Sequence, residues 1–279
     1  KLCLSSPDAR QRLIDAVTVG ETWFFRDRGP FIHLGRHARD FRGNGLLKIL
    51  SAPCASGEEP YSIAMMLLAE GFAPAAFRVD GVDVSAVMLD KARGACYGRG
   101  SVRGHLPAHA APYFRETAHG WQVAGEVVRQ VNFYRENLVE PASLAGRGPY
   151  DMIFCRNLLI YLTADARRLV FKKLDDLLRP GGLLFTGHTE TTFWHQQGYL
   201  PLAWERAFAL AKPCVQPPVK AGPVKFSASA RPVNSAKNCS TGAGPQADVP
   251  TAGGNKFEHA LPAPAAAKAD ASETCPLQQ

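Results

Sequence analysis

The chain has 279 residues, of which 46% are hydrophobic and 20% are charged, and this composition is typical of a globular protein with one large or two small domains. No apolar run approaches the roughly 18 residues of a membrane span, so we expect no insertion into a membrane. The seven cysteines have no paired spacing, so we expect a cytoplasmic protein with no metal ion and no disulfide framework. The net charge of +7 permits a polyanionic partner, but no stretch holds five basic residues together, and we expect a basic solvated surface rather than a nucleic-acid partner.

In chain order, short apolar runs alternate with amphipathic segments. Strands are predicted at 46–52, 77–85, 131–137, 150–157, 182–188 and 206–212, and helices at 59–71, 85–98 and 164–182. Pro60 suits the first turn of the first helix, and Ser85 suits the N-cap of the second. Strands that alternate with helices of this length indicate an α/β fold with a doubly wound, mainly parallel sheet.

Two segments depart from this alternation. Residues 113–134 show short polar and apolar alternation around Gly120 and Gly125, which predicts two or three antiparallel strands inserted into the α/β body, or else a surface loop. From Lys212 onward the chain is rich in Pro and Ala and has no Trp or Tyr. Such a segment cannot bury enough apolar area to offset its ordering entropy, so we expect residues 212–279 to be a disordered linker or tail.

The loop after the first strand reads "SAPCASGEEP" and holds Gly57, Glu58 and Glu59. In a doubly wound sheet, ligands bind beyond the carboxyl ends of the strands. A dinucleotide site would need a run of glycines near the phosphates, and two carboxylates would repel phosphate. A nucleoside with a cationic tail, such as S-adenosylmethionine, suits this loop better. The alternative is that both acids only complement the N-terminus of the helix.

Asp83 ends the second predicted strand, in "GVDVS". An acid at that position can accept hydrogen bonds from ribose hydroxyls, or it can simply cap the helix that follows. Together with the loop after the first strand, it favours a site for a nucleoside such as S-adenosylmethionine at the edge of the doubly wound sheet.

Five segments resemble, in order, the motifs of the CheR methyltransferases, which are chemotaxis-type protein-glutamate O-methyltransferases. They are 18–27 "TVGETWFFRD", 51–67 "SAPCASGEEPYSIAMML", 81–93 "GVDVSAVMLDKAR", 150–162 "YDMIFCRNLLIYL" and 177–190 "LLRPGGLLFTGHTE". The resemblance implies a Rossmann-like, class I S-adenosylmethionine-dependent methyltransferase fold. It also implies that residues 1–20 are the remnant of an N-terminal helical domain and that 21–211 are the methyltransferase domain, with a small β-subdomain at about 105–135. The Pro-rich segment after it is similar to the linker of the WspC-like subgroup, which joins the catalytic domain to tetratricopeptide repeats.

The resemblance also implies roles for single residues. Cofactor-binding positions are Gly20, Thr22, Arg26, Glu58, Glu59, Asp83, Asn137, Leu138, Arg156 and Asn157. Of the two adjacent acids, Glu59 is slightly favoured for the methionine ammonium. The family commonly has Asn where this chain has Gly20 and a small residue where it has Pro53, so a side-chain contact at position 20 is lost or replaced and the loop at Pro53 is stiffened.

The implied reaction transfers a methyl group from S-adenosylmethionine to a glutamate side chain of a methyl-accepting chemotaxis-type receptor, through its cytoplasmic domain, and leaves S-adenosylhomocysteine. A glutamate with a pKa near 4.3 is already ionised at neutral pH, so no general base is required, and Arg26 and Tyr161 are the candidates for orienting it. We expect a monomer. Alternatives are a cofactor-binding signalling scaffold without turnover, or a methyltransferase of the same fold that acts on a small molecule.

Other candidate groups are weaker. The pairs His33 with His37 and His105 with His109 have the i,i+4 spacing of helical metal ligands, but neither has the acid of a H-E-x-x-H motif. Cys54 and Cys155 lie at predicted strand ends, where a small buried hydrophobic residue is the simpler interpretation.

Overall fold

The computed structural model describes residues 6–41, 45–104, 106–118 and 120–214. Its α-helices are α1 (Pro7–Val17), α2 (Gly29–Ala38), α3 (Glu58–Ala69), α4 (Ala86–Gly94), α5 (Gly125–Val128), α6 (Ala164–Leu177) and α7 (Thr191–Gln196). Its strands are β1 (Leu47–Ser51), β2 (Phe77–Asp83), β3 (Cys96–Tyr97), β4 (Phe114–Thr117), β5 (Gly120–Val123), β6 (Val131–Arg135), β7 (Tyr150–Cys155), β8 (Leu178–Thr186), β9 (Leu200–Pro201) and β10 (Ala209–Ala211).

Seven of these strands form one sheet in the order β6-β2-β1-β7-β8-β10-β9. The pairs from β6 to β8 are parallel, and β10 is antiparallel to both of its neighbours. The strand order runs outward in both directions from the boundary between β1 and β7. This confirms the mainly parallel, doubly wound sheet.

Helices cover both faces of the sheet. Neighbouring residues of each strand point to opposite faces and therefore belong to different cores. Ile49 and Phe154 belong to the core that also contains residues of α2 and α3. Leu50 and Ile153 belong to the core that also contains residues of α6 and α7. The central strands are therefore buried on both sides, as their continuous apolar sequences predict.

The small antiparallel sheet has the order β3-β5-β4, and its boundary differs from the predicted range of 105–135. The helix predicted over 85–98 ends at Gly94, and the two residues Cys96–Tyr97 then pair with β5. At the other end, β6 joins the large sheet beside β2 rather than the small one. A strand of two residues has too little sequence to be recognised before its partner is known.

The helix predicted over 164–182 ends at Leu177, since β8 begins at Leu178 and pairs with β7. The buried residues of α6 are Val170 and Leu174, whereas Leu169 is 52% exposed. Residues 1–5, His105 and the predicted tail from 215 onward lie outside the described residues. In the part of the chain that is described, no helix has both the length and the apolar character needed to span a membrane.

Candidate active site

The carboxyl ends of β1 and β7 meet where the strand order reverses, and a crevice at this point is the usual ligand site of a doubly wound sheet. The loop 52–57 follows β1, and Arg156 and Asn157 follow β7. Gly57 has a φ of +93°, and a Cβ there would lie 2.8 Å from Ala92 Cβ. A glycine is therefore required for the turn that begins α3 and presents the two acids.

Glu58 is buried, with 1% of its surface exposed, and its carboxylate accepts hydrogen bonds from two hydroxyls. The donors are Ser56 Oγ at 2.7 Å and Ser101 Oγ at 2.8 Å. Within the described residues, Glu58 forms no ion pair. A buried carboxylate that has only neutral donors is suited to a cationic ligand group.

Glu59 is engaged differently, although it is the next residue. Its Oε2 pairs with Arg156 Nη1 at 2.9 Å, and its Oε1 accepts a hydrogen bond from Ser51 Oγ at 2.8 Å. The Arg156 side chain is only 2% exposed, and it also pairs with Asp27 and donates to the carbonyl of Arg26. Arg156, which the sequence predicts at the edge of the cofactor, joins the first turn of α3 to the segment that carries Arg26.

The segment from Phe25 to Arg28 has strained backbone. Three of its residues have positive φ values: Phe25 at 55°, Asp27 at 62° and Arg28 at 32°. Such values are unfavourable for residues with a Cβ and persist only where contacts hold them. Ser62 Oγ accepts the N–H of Phe25 at 3.0 Å, and Arg156 holds the other end.

This strained turn presents Arg26, whose guanidinium lies 4.5 Å from the centre of the Trp23 ring. Its Nη1 donates to the carbonyl of Glu21 at 2.8 Å. Its Nε is buried and has no hydrogen-bond partner among the described residues. Arg26 therefore keeps a donor of the kind that binds anionic groups such as carboxylates.

An open cleft of about 290 Å³ brings several predicted site residues together. Gly20 and Thr22 line it from the N-terminal segment, Glu58 from the start of α3, and Arg103 from the segment between β3 and β4. A Cβ at Gly20 would lie 2.5 Å from Met88 Cε. The space of a side chain at position 20 is therefore already filled from α4.

Asp83 lies at the end of β2, as predicted, and both of its carboxylate oxygens accept backbone N–H groups. The donors are Ala55 at 2.8 Å and Ser85 at 2.9 Å. Burial raises the pKa of Asp83, and these hydrogen bonds partly offset the effect. The Ser85 N-cap is also as predicted, because its Oγ accepts the N–H of Met88.

Other predicted site residues lie farther from the cleft or have local roles. The amide oxygen of Asn137 accepts the N–H of Val139, and Leu138 is buried in the core beside α6. Tyr161 is 62% exposed, and its hydroxyl forms no hydrogen bond to a described residue. Cys54 and Cys155 are buried, as expected for small hydrophobic residues, and burial raises the pKa of both thiols. His33 stacks on Trp204.

Sequence reasoning did not find Glu190, which is 2% exposed and lies after β8. Its carboxylate accepts three backbone N–H groups, from Asn157 at 2.8 Å, Leu159 at 2.6 Å and Gly187 at 3.0 Å. Asn157 has a φ of +56°. The sequence signal for Glu190 is an acid that follows an apolar strand, in "LLFTGHTE". Two of its three donors, Asn157 and Leu159, lie after a different strand, β7, and the sequence does not show that the two strand ends are neighbours.

The order of the large sheet, its antiparallel strand β10 and a switch-point crevice lined by carboxylates define a Rossmann-like fold of the methyltransferase class. The family model described as "CheR methyltransferase, SAM binding domain" matches residues 20–206. The chain belongs to this family, which confirms the resemblance and the cofactor, S-adenosylmethionine.

Curated relatives extend this result. "Probable biofilm formation methyltransferase WspC" of Pseudomonas aeruginosa is 43% identical over 232 residues, which are 82% of this chain and 55% of that protein. The protein of the same name from Pseudomonas putida is 41% identical over 74% of this chain and 50% of its own length. "Chemotaxis protein methyltransferase" of Escherichia coli is 34% identical over 72% of this chain and 71% of its own length. The chain thus spans about half the length of the WspC relatives, and the expected similarity to the WspC-like subgroup is confirmed.

Proposed function

We propose that this chain transfers a methyl group from S-adenosylmethionine to glutamate side chains in the cytoplasmic domain of a methyl-accepting chemotaxis-type receptor. Family membership and the names of the relatives support this reaction. The observation that carries it is the buried carboxylate of Glu58, which lines the cleft beside the switch point and whose donors among the described residues are two hydroxyls.

The residues at the crevice fit the cofactor. Glu58 would accept its α-ammonium, and the unused Nε of Arg26 would donate to its carboxylate. Asp83 would accept the ribose hydroxyls, since the backbone N–H groups do not fill all of the acceptor positions of its carboxylate. Because Arg156 already neutralises Glu59, we assign the ammonium to Glu58 rather than to the acid that the sequence slightly favoured.

We assign supporting roles to the remaining residues. Asn137 and Leu138 would border the adenine, Gly20 and Thr22 would line the approach, and Asn157 would shape the loop after β7. These roles follow the family motifs, and the position of each residue at a strand end or in the cleft supports them.

When bound, S-adenosylmethionine supplies a methyl group on a positively charged sulfur. Transfer of the methyl group leaves that sulfur as the neutral thioether of S-adenosylhomocysteine. The acceptor carboxylate is ionised at neutral pH, so no proton has to be removed. The task of this chain is to align the carboxylate with the methyl group and to exclude water from it. Arg26 and the exposed hydroxyl of Tyr161 are the groups proposed to orient it.

Incubation of the full-length protein with methyl-labelled cofactor and purified receptor cytoplasmic domains tests this function. We expect base-labile methyl esters on receptor glutamates. Bound cofactor without label on any receptor would instead support a signalling scaffold. If Arg26→Ala and Tyr161→Phe both keep full turnover and normal cofactor affinity, their proposed roles are wrong.

A further inference from the structure

Glu190 is fully occupied by the loop that follows β7. Its Oε2 accepts the N–H of Asn157 and of Gly187, and its Oε1 accepts the N–H of Leu159. Three N–H donors stabilise an ionised carboxylate in a buried position. Without this acceptor, the N–H groups of the loop would be buried and unpaired.

The surrounding backbone is shaped for this contact. A Cβ at Gly187 would lie 2.6 Å from Glu190 Oε2 and 3.1 Å from Asn157 N. The absence of a side chain therefore allows the ends of β7 and β8 to approach each other. Asn157 adopts its unfavourable positive φ at the same point, and its N–H bond to Glu190 helps to hold that conformation.

The loop held by Glu190 continues directly into functional positions on both sides. Arg156 precedes it and reaches Glu59, Asp27 and the carbonyl of Arg26. The short helix Leu159–Tyr161 follows it and carries the exposed Tyr161. A shift of this loop would therefore move the contact that holds the strained Arg26 turn, and it would move Tyr161 as well.

We propose that Glu190 is a positioning residue for methyl transfer, which acts by fixing residues 156–161 and through them the Arg26 turn. Glu190 is buried and does not line the cleft of Gly20, Thr22 and Glu58, so it acts through other residues and not on the reacting atoms. The proposal rests on the proposed function for its catalytic part, whereas its effect on cofactor affinity can be measured without any acceptor.

The test compares Glu190→Gln and Glu190→Ala with a matched control at the opposite end of β7. Asp151 is also a carboxylate that accepts a backbone N–H, from Lys48 at 2.7 Å, and it pairs with Arg179. Asp151→Asn therefore removes a comparable strand-end contact far from the crevice. For each variant, thermal unfolding sets a temperature at which the protein is fully folded, and the affinity for S-adenosylhomocysteine, the kcat and the KM for the receptor domain are measured there.

We expect Glu190→Ala to lower kcat at least tenfold in fully folded protein and to weaken S-adenosylhomocysteine binding. We expect Glu190→Gln to recover part of both, because its amide oxygen still accepts one of the N–H groups. Asp151→Asn should change the unfolding temperature but neither kinetic constant.

The proposal is overturned if folded Glu190→Ala keeps both the kcat and the cofactor affinity of the unsubstituted protein. It is also overturned if Asp151→Asn lowers kcat as much, because the effect would then be one of general stability. If the unsubstituted protein methylates no receptor but Glu190→Ala still weakens S-adenosylhomocysteine binding, the proposed function fails while the positioning of the cofactor site stands.

Discussion

The loops after β1 and β7 meet at the same edge of the sheet, yet they use their charged residues in opposite ways. Glu58, after β1, is buried with only two hydroxyl donors and lines an open cleft. Arg156, after β7, is buried with two carboxylates and a carbonyl and has little freedom left. The first arrangement leaves a charge for a ligand to neutralise, and the second uses its charge within the protein. Substitution of Glu58 should therefore affect mainly binding, and substitution of Arg156 mainly stability.

The largest effect is expected for Arg156→Ala. This change leaves Glu59 without its cation and frees the Arg26 turn, so the free energy of unfolding should fall by about 4 kcal/mol. Urea denaturation measures it. The control is Arg156→Met combined with Glu59→Gln, which removes both charges and should restore much of the loss. A loss below about 1 kcal/mol for Arg156→Ala would show that the pair is not structural.

The turn that presents the acids gives the next effect. Gly57→Ala places a Cβ 2.8 Å from Ala92 Cβ and 2.9 Å from the hydroxyl of Tyr97, at a positive φ. We expect a loss of about 3 kcal/mol in the free energy of unfolding from strain and crowding together. Gly94→Ala is the matched control, because a Cβ there would meet nothing within 4 Å. Equal unfolding curves for the two variants would contradict the requirement for glycine at position 57.

The clearest contrast between the loops comes from Glu58→Gln. The amide can keep one bond to a serine hydroxyl but loses the charge, so cofactor affinity should fall about 100-fold, or about 2.7 kcal/mol. The unfolding midpoint should change little. Calorimetric titration with S-adenosylhomocysteine measures the affinity, and Glu59→Gln is the comparison. If Glu59→Gln weakens binding more than Glu58→Gln, the ammonium belongs to Glu59, as the sequence slightly favoured.

The smallest effect concerns pH at the end of β2, where α1 docks through Asp15. A hydrogen bond from Ser85 Oγ, together with bonds from Gln11 and the N–H of Ala86, lowers the pKa of Asp15 below its ordinary value of 3.8. A carboxyl whose pKa is lower in the folded state stabilises the protein above the unfolded pKa, and this contribution is lost as the pH falls through the folded value. The protection factor of the Ala86 amide, which corrects for the intrinsic fall of the exchange rate with pH, should therefore decrease below about pH 4. Asp15→Asn should already exchange faster at neutral pH, and an identical pH profile would exclude this role.

The sequence predicts the parts of the site that depend on one strand and its following loop. The glycine turn at Gly57, the strand end at Asp83, the Ser85 N-cap and the alternation of the large sheet all follow from local patterns. It does not predict contacts between distant segments. The pairing of Arg156 with Glu59 joins residues 97 positions apart, and the role of Glu190 requires two strand ends to be neighbours. The strand Cys96–Tyr97 was missed for the same reason, since only its partner β5 defines it.

Gly20 and Met88 show how one position can determine what its neighbour tolerates. Met88 Cε and Sδ lie 2.5 and 2.8 Å from the place of a Cβ at Gly20, so the larger side chain of α4 occupies the volume that an Asn at position 20 would need. We therefore expect the two positions to be epistatic, because Met88 has to move or be replaced by a smaller residue to admit an Asn at position 20. Related chains should have followed either combination, with the bulk on one segment or on the other.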